Sequence, residues 1–491
     1  MPKSKSEAKV FQQTRQPIVA ILGHVDHGKT TLLDYIRTTK VADREAGGIT
    51  QSIGAYQAEF KGKKLTFIDT PGHAAFSKMR GRGASIADIV VLVVAADDSV
   101  KPQTIESIKH IKAAEVPYVV AINKIDKPEA NVEVVKAELT QHEVFVEGYG
   151  GNTPFVLISG KTGEGVDTLL ETILLLAELE ELPYTPADSL AAPVIEAKVD
   201  PKKGALVSVI IKSGTLHLGD LVHTPSATAK VRALFDDKSS MIPTATPGMP
   251  VQILGFQTLP AVGETIVPGA LSSELPNSLP AQAGSELSVP LPPIDALAKR
   301  LNLIVKADTS GSLEAITGSF TTDVNIITSG TGDISESDVL MAGATGSIIL
   351  GFNVKLSSSV EKLAEAENVI IKNHKIIYEI LEYVEKKVLK LMEPSIDEDE
   401  LGTATVLKVF DINGDHIAGS SITTGKFEVG DTTHLVRGDV VKNAKVRSIR
   451  IGKDEVKVVE AGKECGIFFS PNLDVQPKDA IIAYKKKVDD I

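Results

Sequence analysis

Tryptophan is absent from the 491 residues, aromatic side chains make up only 4% of them, and Cys465 is the single cysteine. Scarce aromatics leave little material for the stacking platforms that hold single-stranded nucleic acid. A lone thiol can form neither an internal disulfide nor a CxxC zinc site, so a reducing compartment is expected. Positive charge is short as well: 52 Lys and Arg against 64 Asp and Glu leave a net charge of -12. That excludes indiscriminate nucleic-acid binding through a basic body and leaves room for local basic patches only. No run is long enough for a membrane span. The most apolar stretch, Ile89–Ala96, has strand length, and the first sixteen residues are polar and weakly basic with no apolar leader core. A soluble, cytoplasmic protein is expected. With 43% hydrophobic residues, the chain is long enough for roughly three or four domains with proper cores.

What is present begins with Pro17–Arg37, PIVAILGHVDHGKTTLLDYIR. It reads as a buried strand, a glycine-bounded loop and a helix opening at Thr30, with Thr31 in its first turn. The loop Gly23, His24, Val25, Asp26, His27, Gly28, Lys29, Thr30 fits G-x-x-x-x-G-K-[ST]. At that spacing backbone N–H groups and the positive end of the helix cradle a di- or triphosphate. Lys29 would set its ammonium against the β- and γ-phosphates, and the Thr30 hydroxyl would ligate Mg²⁺. Gly28 would let the backbone approach the phosphate oxygens, where a Cβ would intrude.

Further pieces lie downstream. Strand Lys63–Ile68 delivers Asp69, followed by Thr70-Pro71-Gly72-His73. The Asp69 carboxylate would reach Mg²⁺, the Gly72 N–H would sense the γ-phosphate, and His73 would orient an attacking water. Gly47-Gly48-Ile49-Thr50 lies where a first switch belongs, with Thr50 a ligand to Mg²⁺ while the γ-phosphate is present; alone, that tetrapeptide reads as a plain loop. Past a buried strand at Ala87–Ala96 and a helix near Gln103–Ala114, strand Tyr118–Ile122 ends in Asn123-Lys124-Ile125-Asp126. Asp126 would accept hydrogen bonds from the N1–H and exocyclic amine of guanine. Adenine offers no such pair, so a buried carboxylate would be left unsatisfied against it. Strand Phe155–Ile158 then leads to Ser159-Gly160-Lys161 at the base edge, and helix Val166–Glu181 closes the domain. The phosphate loop, Asp69, Asn123–Asp126 and Ser159–Lys161 each stand, in that order, at the carboxyl end of a strand, where open α/β sheets bind ligands. The order implies a GTP-hydrolysing P-loop domain that uses Mg²⁺.

The combination GHVDHGKT (23–30), GGITQSIGAY (47–56), DTPGHAAF (69–76), VVAADDSVKPQT (93–104) and NKID (123–126) resembles the translational GTPases, and within them bacterial translation initiation factor 2. ISESDV (334–339), GFNV (351–354) and ECGI (464–467) extend the resemblance over about residues 17–491. It implies that His73 positions the hydrolytic water and that Asp26 helps to hold a monovalent cation by the phosphates. It further implies a factor that places formylmethionyl initiator tRNA on the small ribosomal subunit and promotes joining of the large one. Hydrolysis would be triggered by the ribosome, with other initiation factors as partners, no membrane partner, and a monomer off the ribosome.

The expected fold class is multidomain α/β and β. Residues 1–16 read as a flexible tail and 17–184 as the P-loop GTPase domain. Alternation broken by Gly214-Thr215 and Gly219-Asp220 implies a small antiparallel β-barrel over 190–268. The Pro- and Ser-rich stretch 269–296 reads as a linker. Residues 297–373 alternate strand and helix, an α/β/α layer domain with a capping box at Ser335 and Asp338. The stretch 374–394 reads as one long connecting helix, its apolar residues at helical spacing and Pro394 at its end. It either packs on its own domain or, as the resemblance implies, carries the last domain towards tRNA. Turn spacing makes 395–491 a second β-barrel.

Lys442, Lys445, Arg447, Arg450 and Lys453 form the last barrel's clearest basic run, which composition alone reads as a solvated strand face. The resemblance makes this barrel the holder of the formylmethionyl end, with Arg450, Glu464, Cys465 and Gly466 at the pocket. Cys465 otherwise reads as a small buried hydrophobe. Two places depart from the family's pattern: Arg450-Ile451-Gly452 stands where a Lys-Arg pair and an aromatic are usual, and Ser420 where a cysteine is. The family's long extension has no counterpart ahead of Pro17, so ribosome anchoring is expected from the core. Two other readings use the same residues. One is a specialised elongation factor for a different aminoacyl-tRNA, which competition between charged tRNAs would separate. The other is a GTP-gated ribosome-assembly scaffold that binds subunits without recognising charged tRNA. An ATP-using enzyme is disfavoured by NKID.

Overall fold

The computed structural model describes residues 13–37, 50–184, 188–269, 300–392, 398–412, 415–437, 440–452, 454–471 and 474–486. The chain divides into two compact units, Met1–Val384 and Glu385–Ile491. Residues before Gln13, Gly47-Gly48-Ile49 of the expected first switch, all of the expected linker after Gly269, Pro394 and Lys453 lie outside the described residues.

The first unit opens with a six-stranded sheet in the order Gly54–Phe60, Lys63–Asp69, Ile18–Gly23, Ile89–Ala95, Tyr118–Asn123, Phe155–Leu157. All neighbours are parallel except the edge pair Gly54–Phe60 and Lys63–Asp69. Ile18–Gly23 and Ile89–Ala95 are buried along their whole length. This is why their sequences are unbroken β-branched and aliphatic runs: a parallel strand covered on both faces has no polar side. Each such Val, Leu or Ile side chain contributes roughly 1.5–3 kcal/mol of burial. The helices are α1 (Lys29–Arg37), α2 (Ser77–Ile86), α3 (Pro102–Ala114), α4 (Val132–Gln141) and α5 (Val166–Leu179). Helix α1 and α5 seal one face through Leu32, Leu33, Leu169, Leu170 and Ile173.

The paired chain begins before residue 17, inside the stretch expected as a tail. Gln13 and Thr14 pair antiparallel with Tyr184 and Pro183. Arg15 follows with a two-pronged ion pair to Asp88, at 2.5 and 2.6 Å, both side chains nearly buried. A forked, shielded guanidinium–carboxylate pair fixes a chain that would otherwise fray.

Seven strands between Ala192 and Pro268 then pair antiparallel. The pairing of Leu221–His223 with both Thr228–Phe235 and Thr265–Pro268 closes them into a barrel around Val194, Val207, Val209, Val231 and Ile253. Glu196 of this barrel, 5% exposed, accepts the Gly311 N–H at the start of α6 (Ser310–Gly318). Helices α6, α7 (Glu336–Thr345) and α8 (Ser358–Ala366) accompany a four-stranded parallel sheet in the order Val324–Thr331, Leu301–Ala307, Ile348–Phe352, Ile371–His374. The Ser335/Asp338 capping box opens α7 with both reciprocal bonds made.

Helix α9 (Ile377–Met392) contains the boundary between the units. Its first turns are packed rather than exposed, with Ile377, Ile380 and Val384 at 0–5% exposure. In the second unit, Glu398–Ile412 pairs with both Ala480–Lys486 and Asp415–Glu428, so this antiparallel sheet also closes on itself. Its interior holds Val406, Ile422, Phe427, Ile449, Cys465 and Ile481.

Candidate functional site

A cavity of about 190 Å³ brings together Val25, Asp26, Gly28, Lys29, Thr30, Thr31, Thr50, Gly72, His73 and Lys124. A larger cavity, about 610 Å³, is lined by Arg15, Lys63, Leu174 and Glu178 and touches none of these residues. The smaller one carries the chemistry. Lys29 is buried and donates to the carbonyls of Gly23 at 3.0 Å and His24 at 2.5 Å. Burial lowers its pKa to about 8, with Asp69 pulling the other way, so the ammonium is held ready for an anion. The Thr30 and Thr50 hydroxyls meet at 2.9 Å, and Asp69 is buried at the end of its strand. Two hydroxyls and a carboxylate are hard oxygen donors of the kind Mg²⁺ takes. Asp26 is exposed at the crest of the loop with φ 61.

His24 and His27 brace the loop from behind. His27 is fully buried; its Nδ1 accepts the Ala95 N–H at 3.3 Å and its Nε2 lies 3.5 Å from Asp98. Burial pushes its pKa down to about 4 and lowers that of His24. Gln103 of α3 accepts the Val25 N–H at 3.0 Å.

His73 is 9% exposed, and its Nδ1 accepts the Ala75 N–H at 2.9 Å. An accepting Nδ1 leaves the proton on Nε2, so the neutral ring offers a donor to whatever enters the cavity. Burial, helped by the charge of Arg80, lowers its pKa to about 4. The ring also lies against Tyr378 of α9, centroids 3.8 Å apart. Gln51, next to Thr50, donates to the Lys375 carbonyl at 2.9 Å and accepts the Ile377 N–H at 3.1 Å. Both expected switch segments therefore touch the start of α9.

Asn123 is a tie rather than a reader of the base. Its amide donates to the His27 carbonyl and accepts the Gly160 N–H, both at 2.8 Å. A Cβ on Gly28 would come within 2.4 Å of that amide, and the residue adopts φ 85, so Asn123 and the loop conformation both call for glycine here. Ser159 is buried and donates to Asp126 at 2.7 Å, which holds that carboxyl below its usual pKa. Asp126 itself is exposed, not buried as its specificity argument assumed. It stands one turn beyond the strand end, so cover would have to come from the base. Lys124 adopts φ 65 and lies 3.5 Å from Asp97, while Lys161 is exposed.

On the second unit's barrel, Arg450 pairs with Gly466 across neighbouring strands and its guanidinium lies 5.3 Å from the Phe468 ring centroid. Arg450 and Glu464 are exposed. Cys465 belongs to the barrel core. It is 5% exposed inside the core, opposite buried Ser420, and burial pushes its thiol up to about 11. The register shift between Val446 and Ser448 turns Arg450 outward, although Ala444 and Val446, of the same parity, point in.

Comparisons with known proteins follow the same division. The elongation factor Tu GTP binding domain matches residues 14–178, elongation factor G domain 2 matches 189–269, and translation-initiation factor 2 matches 291–385. Translation initiation factor IF-2 of Bartonella bacilliformis is 44% identical over 96% of this chain and 58% of its own length. That of Thermotoga sp. (strain RQ2) is 45% identical over 96% of this chain and 71% of its own. The chain belongs to the translation initiation factor IF-2 family. It spans 58%, 45% and 64% of the relatives from Bartonella bacilliformis, Lachnoclostridium phytofermentans and Shouchella clausii. A solved structure, GDP-bound aIF5B from Aeropyrum pernix, aligns over 96% of this chain and 92% of its own, with 26% identity and a TM-score of 0.48.

Several residues of this IF-2 family site carry no sequence signal by themselves. Arg80, Glu106 and Tyr378 reach it only through tertiary packing. Gln103 lies inside the VKPQT motif, and a polar residue in the first turn of a helix beside the loop was the signal available.

Proposed function

We propose that this IF-2 family member is a ribosome-dependent GTPase that places formylmethionyl initiator tRNA on the small ribosomal subunit and promotes subunit joining. The observation that carries the reading is the convergence of Lys29, Thr30, Thr50, Gly72 and His73 on one cavity at the strand ends. Lys29 and the N–H groups of Gly23 to Thr31 bind the phosphates, and Asp126, steadied by Ser159, selects guanine, with Asn123, Gly160, Lys124 and Lys161 shaping the base site. Thr30, Thr50 and Asp69 would hold Mg²⁺, which would supply charge neutralisation between the phosphates. Asp26 would help to hold a monovalent cation by the phosphates. His73 donates from Nε2 to the attacking water; with Nδ1 already accepting, its part is positioning rather than proton abstraction. Thr50 and Gly72 hold on to the γ-phosphate and release when it leaves.

The same proposal divides the chain into a GTPase domain (17–184), barrel (190–268), α/β layer (297–373), connecting helix (374–394) and tRNA-binding barrel (395–491). Arg450, Glu464 and Gly466 would face the tRNA end, with Cys465 behind them. The partners are both ribosomal subunits, initiator tRNA and the other initiation factors; the protein is cytoplasmic and monomeric when free. Among the described residues no helix is long and apolar enough to cross a membrane.

The test measures GTP turnover by the full chain with and without ribosomes, and its binding of formylated against unformylated initiator tRNA. Stimulated turnover with a preference for the formylated form is expected. Turnover that ignores formylation would move the chain to an elongation or assembly role.

A further inference from the structure

One buried charge near the cavity has no place in the scheme above. Arg80 of α2 is fully buried, where a guanidinium survives only if its donors are answered. Its Nη1 donates to the carbonyls of Pro71 at 3.2 Å, Gly72 at 3.0 Å and His73 closer still. Its Nη2 is paired with Glu106 of α3 at 2.6 Å. Glu106 reaches on to His110, which meets Ser77 at the start of α2.

A trans peptide points the carbonyl of one residue and the N–H of the next in opposite directions. Three successive carbonyls gathered onto one guanidinium therefore turn the N–H groups of Gly72, His73 and Ala74 away from it. Gly72 lies against the phosphate loop on its other side: a Cβ there would stand 2.6 Å from Lys29 Nζ and 3.0 Å from the Val25 nitrogen. The guanidinium thus sets the direction of the Gly72 N–H and the place from which the His73 ring departs. No other described residue is bonded to all three carbonyls.

We propose that Arg80 is the positioning residue of the hydrolytic turn: by clamping the Pro71, Gly72 and His73 carbonyls it aims the Gly72 N–H at the γ-phosphate and His73 at the attacking water. The role rests on the reading of the site as a GTPase. The fork serves both sides at once, Nη1 on the three carbonyls and Nη2 on Glu106, which the single nitrogen of a lysine cannot do.

The experiment compares the full chain with Arg80→Lys and with the double variant Arg80→Met/Glu106→Met, which removes the ion pair whole and strands no charge. In Arg80→Lys the ribosome-stimulated kcat is expected to fall about tenfold or more, because small misplacements near reacting atoms are costly. The double variant falls further. The Kd for GDP and the ribosome concentration giving half-maximal rate stay near wild type in both, while a non-hydrolysable GTP analogue loses affinity relative to GDP. Wild-type kcat in Arg80→Lys overturns the proposal. So do equal losses of GDP, analogue and ribosome binding, which would make Arg80 a core residue only. If the unmodified chain shows no stimulated turnover, the GTPase reading fails, and the GDP-against-analogue comparison still decides whether Arg80 aims Gly72.

Discussion

The phosphate cavity and the outer face of the second barrel are built on opposite plans. At the cavity, side chains and N–H groups come from loops at the ends of buried strands, and Lys29, His27, His73 and Asn123 are themselves buried and bonded. At the barrel, Arg450, Arg447 and Lys445 ride on the outer face of one strand, and the direction of Arg450 depends on a single register shift. A site made of buried ties tolerates little change and reads as contiguous motifs. A site made of an exposed face is rewritten by one inserted residue. The two regions should therefore respond to substitution on different scales.

The largest effect belongs to the cavity. His73→Ala should cut ribosome-stimulated turnover by about a hundredfold or more and leave the Kd for GDP nearly unchanged, since Nδ1 is engaged only with Ala75. A stimulated rate close to wild type would remove the histidine from the mechanism. Asp126→Asn comes next. Losing two hydrogen bonds to a charged acceptor costs about 3 kcal/mol, roughly a hundredfold in GTP affinity, and xanthosine triphosphate, which offers a carbonyl to the new amide, should gain. Unchanged GTP preference would show that Asp126, exposed as it is, does not read the base.

How far the sequence could be read follows the same contrast. The GTPase sheet was legible because Ile18–Gly23 and Ile89–Ala95 are apolar throughout and their ends carry motifs. Gly54–Phe60 was passed over: an edge strand with Tyr56 as its one well-buried side chain has no run to recognise, and only its partner Lys63–Asp69 defines it. Gly28 carries a further constraint that local reading cannot find, because its neighbour Asn123 lies nearly a hundred residues on. Tyr378 and Arg80 were invisible, as no local pattern says which side chain will meet His73 or the carbonyls before it. In the barrel, Cys465 belonged to the core, as its alternation with Glu464 and Gly466 on one strand indicates.

A smaller effect sharpens the difference through acid. His27 and His73 titrate at about 4 when folded, against an ordinary 6.5. Between those values the unfolded chain binds protons that the folded chain refuses, so stability is full above about pH 6.5 and falls as pH drops towards 4. Each histidine contributes up to about 1.4 kcal/mol per pH unit in that window. Urea midpoints for the transition of the first unit, taken from pH 7 to 5, should fall accordingly. His27→Gln should flatten the slope by about one proton. A slope unaltered by that change would place the acid sensitivity elsewhere.

The smallest effects separate the two sides of one strand in the barrel. Cys465→Ala removes a buried sulfur and should cost about 1 kcal/mol of stability, with formylmethionyl initiator tRNA affinity unchanged, because Cys465 belongs to the buried core with Val406 and Ile449. Arg450→Ala should do the reverse: little change in unfolding, since an exposed side chain stacked near Phe468 stabilises weakly, and a fall in tRNA affinity of a few fold, about 1 kcal/mol. Were Cys465→Ala to weaken tRNA and Arg450→Ala to leave it alone, the recognition surface would have to lie where residue 465 can reach it. The register shift after Val446 would then have turned the wrong face to the tRNA.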